Sequence, residues 1–149
     1  MLFKTHLAFA IFLLIPLLNF FSPANPVIFI LIFLTAALLP DIDHPKSKLG
    51  RFVKPIGFLF EHRGFFHSGF ALLLFTYLAY QYLSVTSAIA VFIGYASHIM
   101  ADTFSHQGIM PLHPLSKFRI KGFMNTGGFL EVILLFALIL ADVYLIIKF

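Results

Sequence analysis

The sequence has no cysteine and no tryptophan, and only 11% of its residues are charged. Without cysteine there are no disulfides and no thiolate metal sites, so histidine and carboxylate are the strong metal ligands left to it. Without tryptophan, any aromatic belt at the lipid headgroups falls to five tyrosines and to phenylalanine, a weaker anchor. The shortage of charge excludes an ordinary soluble surface. Soluble domains are about 45–50% apolar and about 25% charged, whereas this chain is 60% hydrophobic with a mean hydropathy of +0.99. Its 149 residues suit a single domain covering 1–149. A chain of that size cannot hide so much apolar surface in a soluble core.

What is present is a set of apolar runs. Five stand out, at roughly 5–22, 26–40, 68–83, 85–106 and 129–147. About 20 helical residues cross a ~30 Å hydrocarbon core, so the second and third runs are short for the task. The breaks fall at turn chemistry, Ser22-Pro23-Ala24-Asn25-Pro26 and Pro40-Asp41. The expected fold is all-α, a polytopic membrane helical bundle of about five transmembrane helices. The first run, with Lys4 ahead of it, has the layout of a signal peptide. No small-residue cleavage site follows, and it is expected to remain as a helix of the mature protein.

Five crossings place the N-terminus and the loops 41–67 and 107–128 on one side. Of ten lysines and arginines, Lys4, Lys46, Lys48, Arg51, Lys54, Arg63, Lys117, Arg119 and Lys121 fall there, against Lys148 alone on the other. By the positive-inside rule that side is cytoplasmic, in an integral inner (cell) membrane. The net charge of +4 and pI near 9.5 therefore reflect topology, and no nucleic-acid partner is expected.

The same side collects the ionisable chemistry. His6 begins the first run, Asp41, Asp43 and His44 end the second, His62 and His67 precede the third, and His98, Asp102 and His106 end the fourth. The densest pattern is Gly94-x3-His98-x3-Asp102-x3-His106, whose spacing of four puts all three polar groups on one helical stripe. An ionisable group inside a membrane helix costs about 2.5–3.5 kcal/mol, so three in register call for a partner, most simply a metal ion. Along a helix axis His98 and His106 would be about 12 Å apart, too far for one ion, and this spacing points to more than one.

Other readings stay open residue by residue. In Leu39-Pro40-Asp41-Ile42-Asp43-His44 either carboxylate, or both, can coordinate a hard or borderline cation, or the segment can be a polar helix end. Arg63 is either a positive-inside charge or a bidentate clamp for a phosphate oxygen. Ser68 reads as an N-cap. His6 either marks a helix start or joins the ligands. His113, in Pro111-Leu112-His113-Pro114, suits a turn or a substrate contact. Glu131 fits the helix dipole better than a metal. Asp142, near the opposite face, is assigned no function.

These motifs resemble the YdjM-like group of membrane-bound metal-dependent hydrolases, over most of the chain. The resemblance rests on Thr5-His6, Leu39-Pro40-Asp41-Ile42-Asp43-His44, His62-Arg63-Gly64-Phe65-Phe66-His67-Ser68 and Gly94-x3-His98-x3-Asp102-x3-His106. Phe66 stands where relatives usually carry threonine. The ligand order is also similar to that of the zinc-dependent phospholipase C and nuclease superfamily. That likeness implies one zinc at His6 and Asp102, and a second at Asp41 or Asp43 with His67, His98 and a bridging Asp102.

The expected function is metal-assisted hydrolysis of a phosphoester in a lipid or lipid-linked substrate at the cytoplasmic face. Two divalent ions, zinc by ligand type, would activate water. Arg63 would hold phosphate, and whichever of Asp41 and Asp43 is uncoordinated would act as base. Two rivals stand beside it. A transporter or channel for divalent cations or protons would need polar groups in both halves of the bilayer. A metal-clamped protein without chemistry would show closed coordination.

Overall fold

The computed structural model describes residues 1–44 and 63–149. Among them are five α-helices: α1 (Phe3–Phe21), α2 (Pro26–Leu38), α3 (Gly69–Tyr82), α4 (Val85–Thr103) and α5 (Phe129–Lys148). Two short 3₁₀-helices, Leu39–Asp43 and Phe65–His67, prolong α2 and precede α3. Local chemistry sets these boundaries. Asn25 caps α2 by accepting from the Ile28 amide at 3.1 Å, with Pro26 in the first turn, where a missing N–H costs nothing. Ser68 caps α3 through the Ala71 amide, and Ser84 caps α4 through the Ser87 amide. Ser68 is thus the N-cap its sequence context suggests.

Four of the five expected spans are long and apolar enough to cross a membrane: α1, α2 with its 3₁₀ extension to Asp43, α4 and α5. The 14 residues of α3 rise about 21 Å, less than the hydrocarbon core. Large apolar side chains such as Leu31, Leu73, Tyr77, Phe136, Leu140 and Ile147 are exposed on these helices, as lipid-facing residues must be.

α2 and α4 share the closest packing, and they do so through small residues. Gly94 presses against Phe33, and a Cβ at this glycine would run into the Phe33 carbonyl oxygen. Ala10, Leu14, Phe29, Phe33, Ala37 and Ala90 form the buried core around this crossing. Without a hydrophobic difference between lipid and side chain, close backbone approach and dispersion hold such helices together. The opening glycine of the Gly94-x3-His98-x3-Asp102 pattern is therefore a packing residue, and it sets how near His98 comes to α2.

Two helix ends differ from expectation. α4 stops at Thr103, three residues before His106, and α1 begins at Phe3. Beyond Thr103 the chain folds back on itself, with paired amide bonds between Ile109 and Ile120 and a bond from the His106 amide to the Met124 carbonyl. This segment ties onto α3 through the Gly69 amide and the Pro111 carbonyl at 2.8 Å.

Candidate metal centre

Five stretches of chain deliver polar side chains to one end of the bundle: the first turn of α1, the 3₁₀ extension of α2, the segment 63–67, the last turns of α4, and the loop after it. Asp102 is at the middle, 1% exposed. Its Oδ2 lies 3.5 Å from His67 Nε2 and 3.8 Å from His98 Nε2. Asp41 Oδ1 closes the other side, 4.0 Å from His67 Nε2 and 3.7 Å from His98 Nε2. Adjacent ligands of a tetrahedral ion bound at about 2.0–2.2 Å are about 3.3–3.6 Å apart. The His67–Asp102 separation falls within that spacing, and the other three exceed it by a few tenths of an ångström.

Both imidazoles are held in the orientation such a role requires. His98 Nδ1 bonds the Ala37 carbonyl at 2.8 Å, and His67 Nδ1 meets Asp43 Oδ2 at 3.2 Å. When Nδ1 carries the proton toward an acceptor, the Nε2 lone pair points at the centre. Carboxylates and backbone carbonyls orient metal-ligating histidines elsewhere in the same way. Asp43 is fully buried, and its Oδ2 also accepts from the Arg63 amide at 3.1 Å. The structure therefore separates the two carboxylates that the sequence left undivided. Asp41 faces the ligand cluster, and Asp43 stands behind His67. The expectation of Asp43 as a direct ligand gives way to an orienting one, because the 3₁₀ turn places side chains two residues apart in different directions.

Asp102 Oδ1 faces a second set of partners. His6 Nε2 lies 3.3 Å from it, an Arg63 terminal nitrogen 3.0 Å and the Met1 amine 2.7 Å. His6 stacks on His98, ring centroids 3.9 Å apart and planes 2° from parallel. Two groups could thus hold a metal ion: Asp41, His67 and His98, and His6, His98 and Asp102. They share His98, whose Nδ1 is committed to Ala37. One remaining nitrogen serves one ion, so both groups cannot be filled with His98 in each.

Arg63 is 5% exposed, with the left-handed φ of 63° rare for a residue with a side chain. One terminal nitrogen donates to Ser105 Oγ at 2.7 Å and to the Gly108 carbonyl at 3.0 Å, and the other to Asp102. Both terminal nitrogens of the guanidinium thus brace the protein internally. Ser105 and Gly108 were not singled out in the sequence. Ser105 could have been suspected from its place between Asp102 and His106, but a carbonyl acceptor such as Gly108 or Ala37 leaves no trace in residue type.

The remaining candidates separate cleanly. His106 is exposed and beyond the end of α4, so it leaves the stripe, and the argument for several ions from its distance to His98 goes with it. His62 lies outside the described residues. His44 and His113 belong to neither ligand group. Glu131 is 1% exposed and accepts from the Leu2 and Gly127 amides at 2.6 Å each, which ties the first turn of α5 to the start of α1. Phe66 stacks on Phe75, and its carbonyl accepts from Tyr95. Burial alone would lower the His67 imidazole, but hydrogen bonds to Asp102 and Asp43, with their charges, outweigh it and push its pKa up to about 9.

The sequence model of the YdjM inner membrane protein family matches residues 1–148. This chain belongs to that family. Among curated relatives of this YdjM-family chain, the inner membrane protein YdjM of Escherichia coli (strain K12) is 38% identical over 122 residues, covering 72% of the chain and 61% of the relative. The Shigella flexneri protein of the same name gives the same figures. The uncharacterized protein YvsG of Bacillus subtilis (strain 168) is 36% identical over 114 residues, covering 72% of the chain and 71% of the relative. The chain thus spans less than two thirds of the two YdjM relatives' length. No solved structure matches it.

Proposed function

We propose that this YdjM-family protein is an inner-membrane metal-dependent hydrolase that cleaves a phosphoester of a lipid or lipid-linked substrate at the cytoplasmic face. The observation that carries the reading is the convergence of Asp41, His67, His98 and Asp102 from three separate elements, at 3.5–4.0 Å, with both histidines braced from behind. Three carboxylates, Asp41, Asp43 and Asp102, gather there against the Arg63 guanidinium and the Met1 amine. Burying such a group favours a compensating cation.

Two imidazoles and two carboxylates without sulfur suit zinc. A divalent ion bound there supplies Lewis acidity toward a phosphoryl oxygen and lowers the pKa of water. Asp43 and the Ala37 carbonyl hold the imidazoles, and Arg63 fixes Asp102. Asp41, whose side chain is 24% exposed, stands on the accessible edge where a substrate can approach. That partial opening favours chemistry over a closed structural clamp. His6 with Asp102 Oδ1 outlines the place of a second ion. The ligand order similar to that of the zinc-dependent phospholipase C and nuclease superfamily supports a phosphoester substrate. The inner-membrane names of the relatives and the basic residues on the site's side support the location and its cytoplasmic orientation.

The test is metal content of purified protein by plasma mass spectrometry, followed by a phospholipid hydrolysis screen on the same sample. Retained transition metal that falls sharply in Asp102→Ala but not in Asp142→Ala, together with hydrolysis that a chelator stops, is the expected result. Equal metal content in both variants would reject the site, and metal without any hydrolysis would reject the activity.

A further inference from the structure

Beside the polar cluster is a cavity of about 340 Å³ that none of the site chemistry uses. It lies between α1, α4 and α5, against Thr5, Phe9, Ala101, Leu134 and Leu138, and it is apolar throughout. Its volume is in the range of small-ligand pockets, which run from about 300 to 1,000 Å³. Phe104 and Phe123, which also line it, are exposed.

Its position is what gives it a role. Thr5 and Ala101 line the cavity, and the next residue of each, His6 and Asp102, belongs to the ligand cluster. Met1 lines it as well, while its amine bonds Asp102 Oδ1 at 2.7 Å. The cavity and the cluster therefore share one wall, apolar on one side and ionic on the other. The surrounding helices expose apolar side chains to the bilayer, where hydrocarbon chains are the abundant apolar ligand. A molecule with a charged ester at one end and a hydrocarbon tail at the other would meet both halves at once.

We infer that this cavity takes one acyl chain of the lipid whose ester is cleaved at the neighbouring cluster. The role as a substrate tail site rests on the hydrolase reading above, whereas chain binding itself does not. Entropy gained by removing a hydrocarbon chain from water is absent inside a membrane. Selection therefore comes from dispersion contacts with the walls and from placing the ester beside Asp102.

The experiment uses the full chain in a non-ionic detergent and native mass spectrometry. The probes are a long-chain lysophosphatidylglycerol and glycerophosphoglycerol, its chainless counterpart. Leu134→Trp puts an indole into the cavity, and Leu140→Trp, at a position 71% exposed and absent from its lining, is the control. Phe9→Trp serves as a second filling variant if the first lowers the melting temperature. One lysolipid per chain, held roughly tenfold more weakly by the filling variants and unchanged in the control, is expected, a tenfold change being about 1.4 kcal/mol. Equal binding by all three overturns the inference. Hydrolysis separates the two readings. Lipid cleavage lost in Leu134→Trp, with turnover of the chainless diester retained, supports both. Chain binding that Leu134→Trp abolishes, with no ester cleaved by the unmodified protein, supports the cavity and overturns the hydrolase. Cleavage indifferent to the chain and to Leu134→Trp overturns the cavity and leaves the hydrolase standing.

Discussion

Asp43 Oδ2 stands 3.2 Å from His67 Nδ1, on the side of the imidazole away from the Asp41 and Asp102 carboxylates. The ring is thereby gripped between acids. When the ring is neutral, Asp43 favours the proton on Nδ1, and Nε2 faces Asp41 and Asp102. This relationship gives two aspartates, two residues apart, different work.

The first prediction follows from that division. Asp41→Asn removes a facing ligand and is expected to abolish tight metal retention. Asp43→Asn keeps the facing atoms and loosens their support, so affinity should fall by about 10–100-fold, as for outer partners of metal-bound histidines generally. Competition with a chromogenic chelator measures both. Equal losses in the two variants would contradict the assignment.

His6 tests the second position. His6→Ala leaves Asp41, His67, His98 and Asp102 in place. If one ion sits among those four, stoichiometry in the variant drops only by whatever ion His6 and Asp102 Oδ1 held. The expected outcome is retention of one ion per chain, read by plasma mass spectrometry. Complete loss would show that His6 belongs to the primary set.

The proton on His67 gives a pH dependence. Its folded-state pKa, pushed up to about 9, exceeds the ordinary value of 6.5. In the metal-free protein its contribution to stability is therefore fully present below about 6.5 and is lost as pH rises through about 9. An ion needs that nitrogen deprotonated, so metal affinity rises over the same window. Melting curves with and without chelator, at about pH 6 and about pH 9.5, should show the metal-dependent gap widening at the higher pH. A constant gap would disprove the coupling.

Gly94→Ala should be costly although alanine is the better helix former. The added methyl meets the Phe33 carbonyl oxygen, and α2 and α4 must part. Overpacking of this kind costs about 1–3 kcal/mol. Because Ala37 on α2 fixes His98 on α4, metal retention should decline together with the melting temperature. Ala88→Gly, buried on the same helix but not in the core cluster at the crossing, should lower stability by about 1 kcal/mol through helix propensity and by about 0.8 kcal/mol more through the lost buried methyl, and leave metal retention intact.

Much of the molecule was legible in its sequence. Apolar runs of helix-spanning length and turn residues between them follow from composition and local propensity, so the spans and most of their boundaries could be read directly. The four-residue spacing of His98 and Asp102 survived because both lie within α4. His106 did not, since nothing in the spacing says that the helix ends at Thr103 and that the chain then pairs with the segment around Met124. In sequence, Arg63 between two histidines is compatible with a phosphate clamp. Its commitment to Ser105, Gly108 and Asp102 depends on residues 39 to 45 positions away.

By itself, then, the sequence determined that this is a helical membrane protein with histidines and aspartates gathered at one end, because hydrophobic length and helical period are local properties. Tertiary structure decided which of those residues face one another. It set Asp41 toward the centre and Asp43 behind it, gave the two His98 nitrogens different partners, and opened an apolar cavity beside Asp102. Those outcomes depend on how closely α2 and α4 approach across Gly94 and on where backbone carbonyls such as that of Ala37 fall. Neither is written in residue types, since both arise only when distant segments pack.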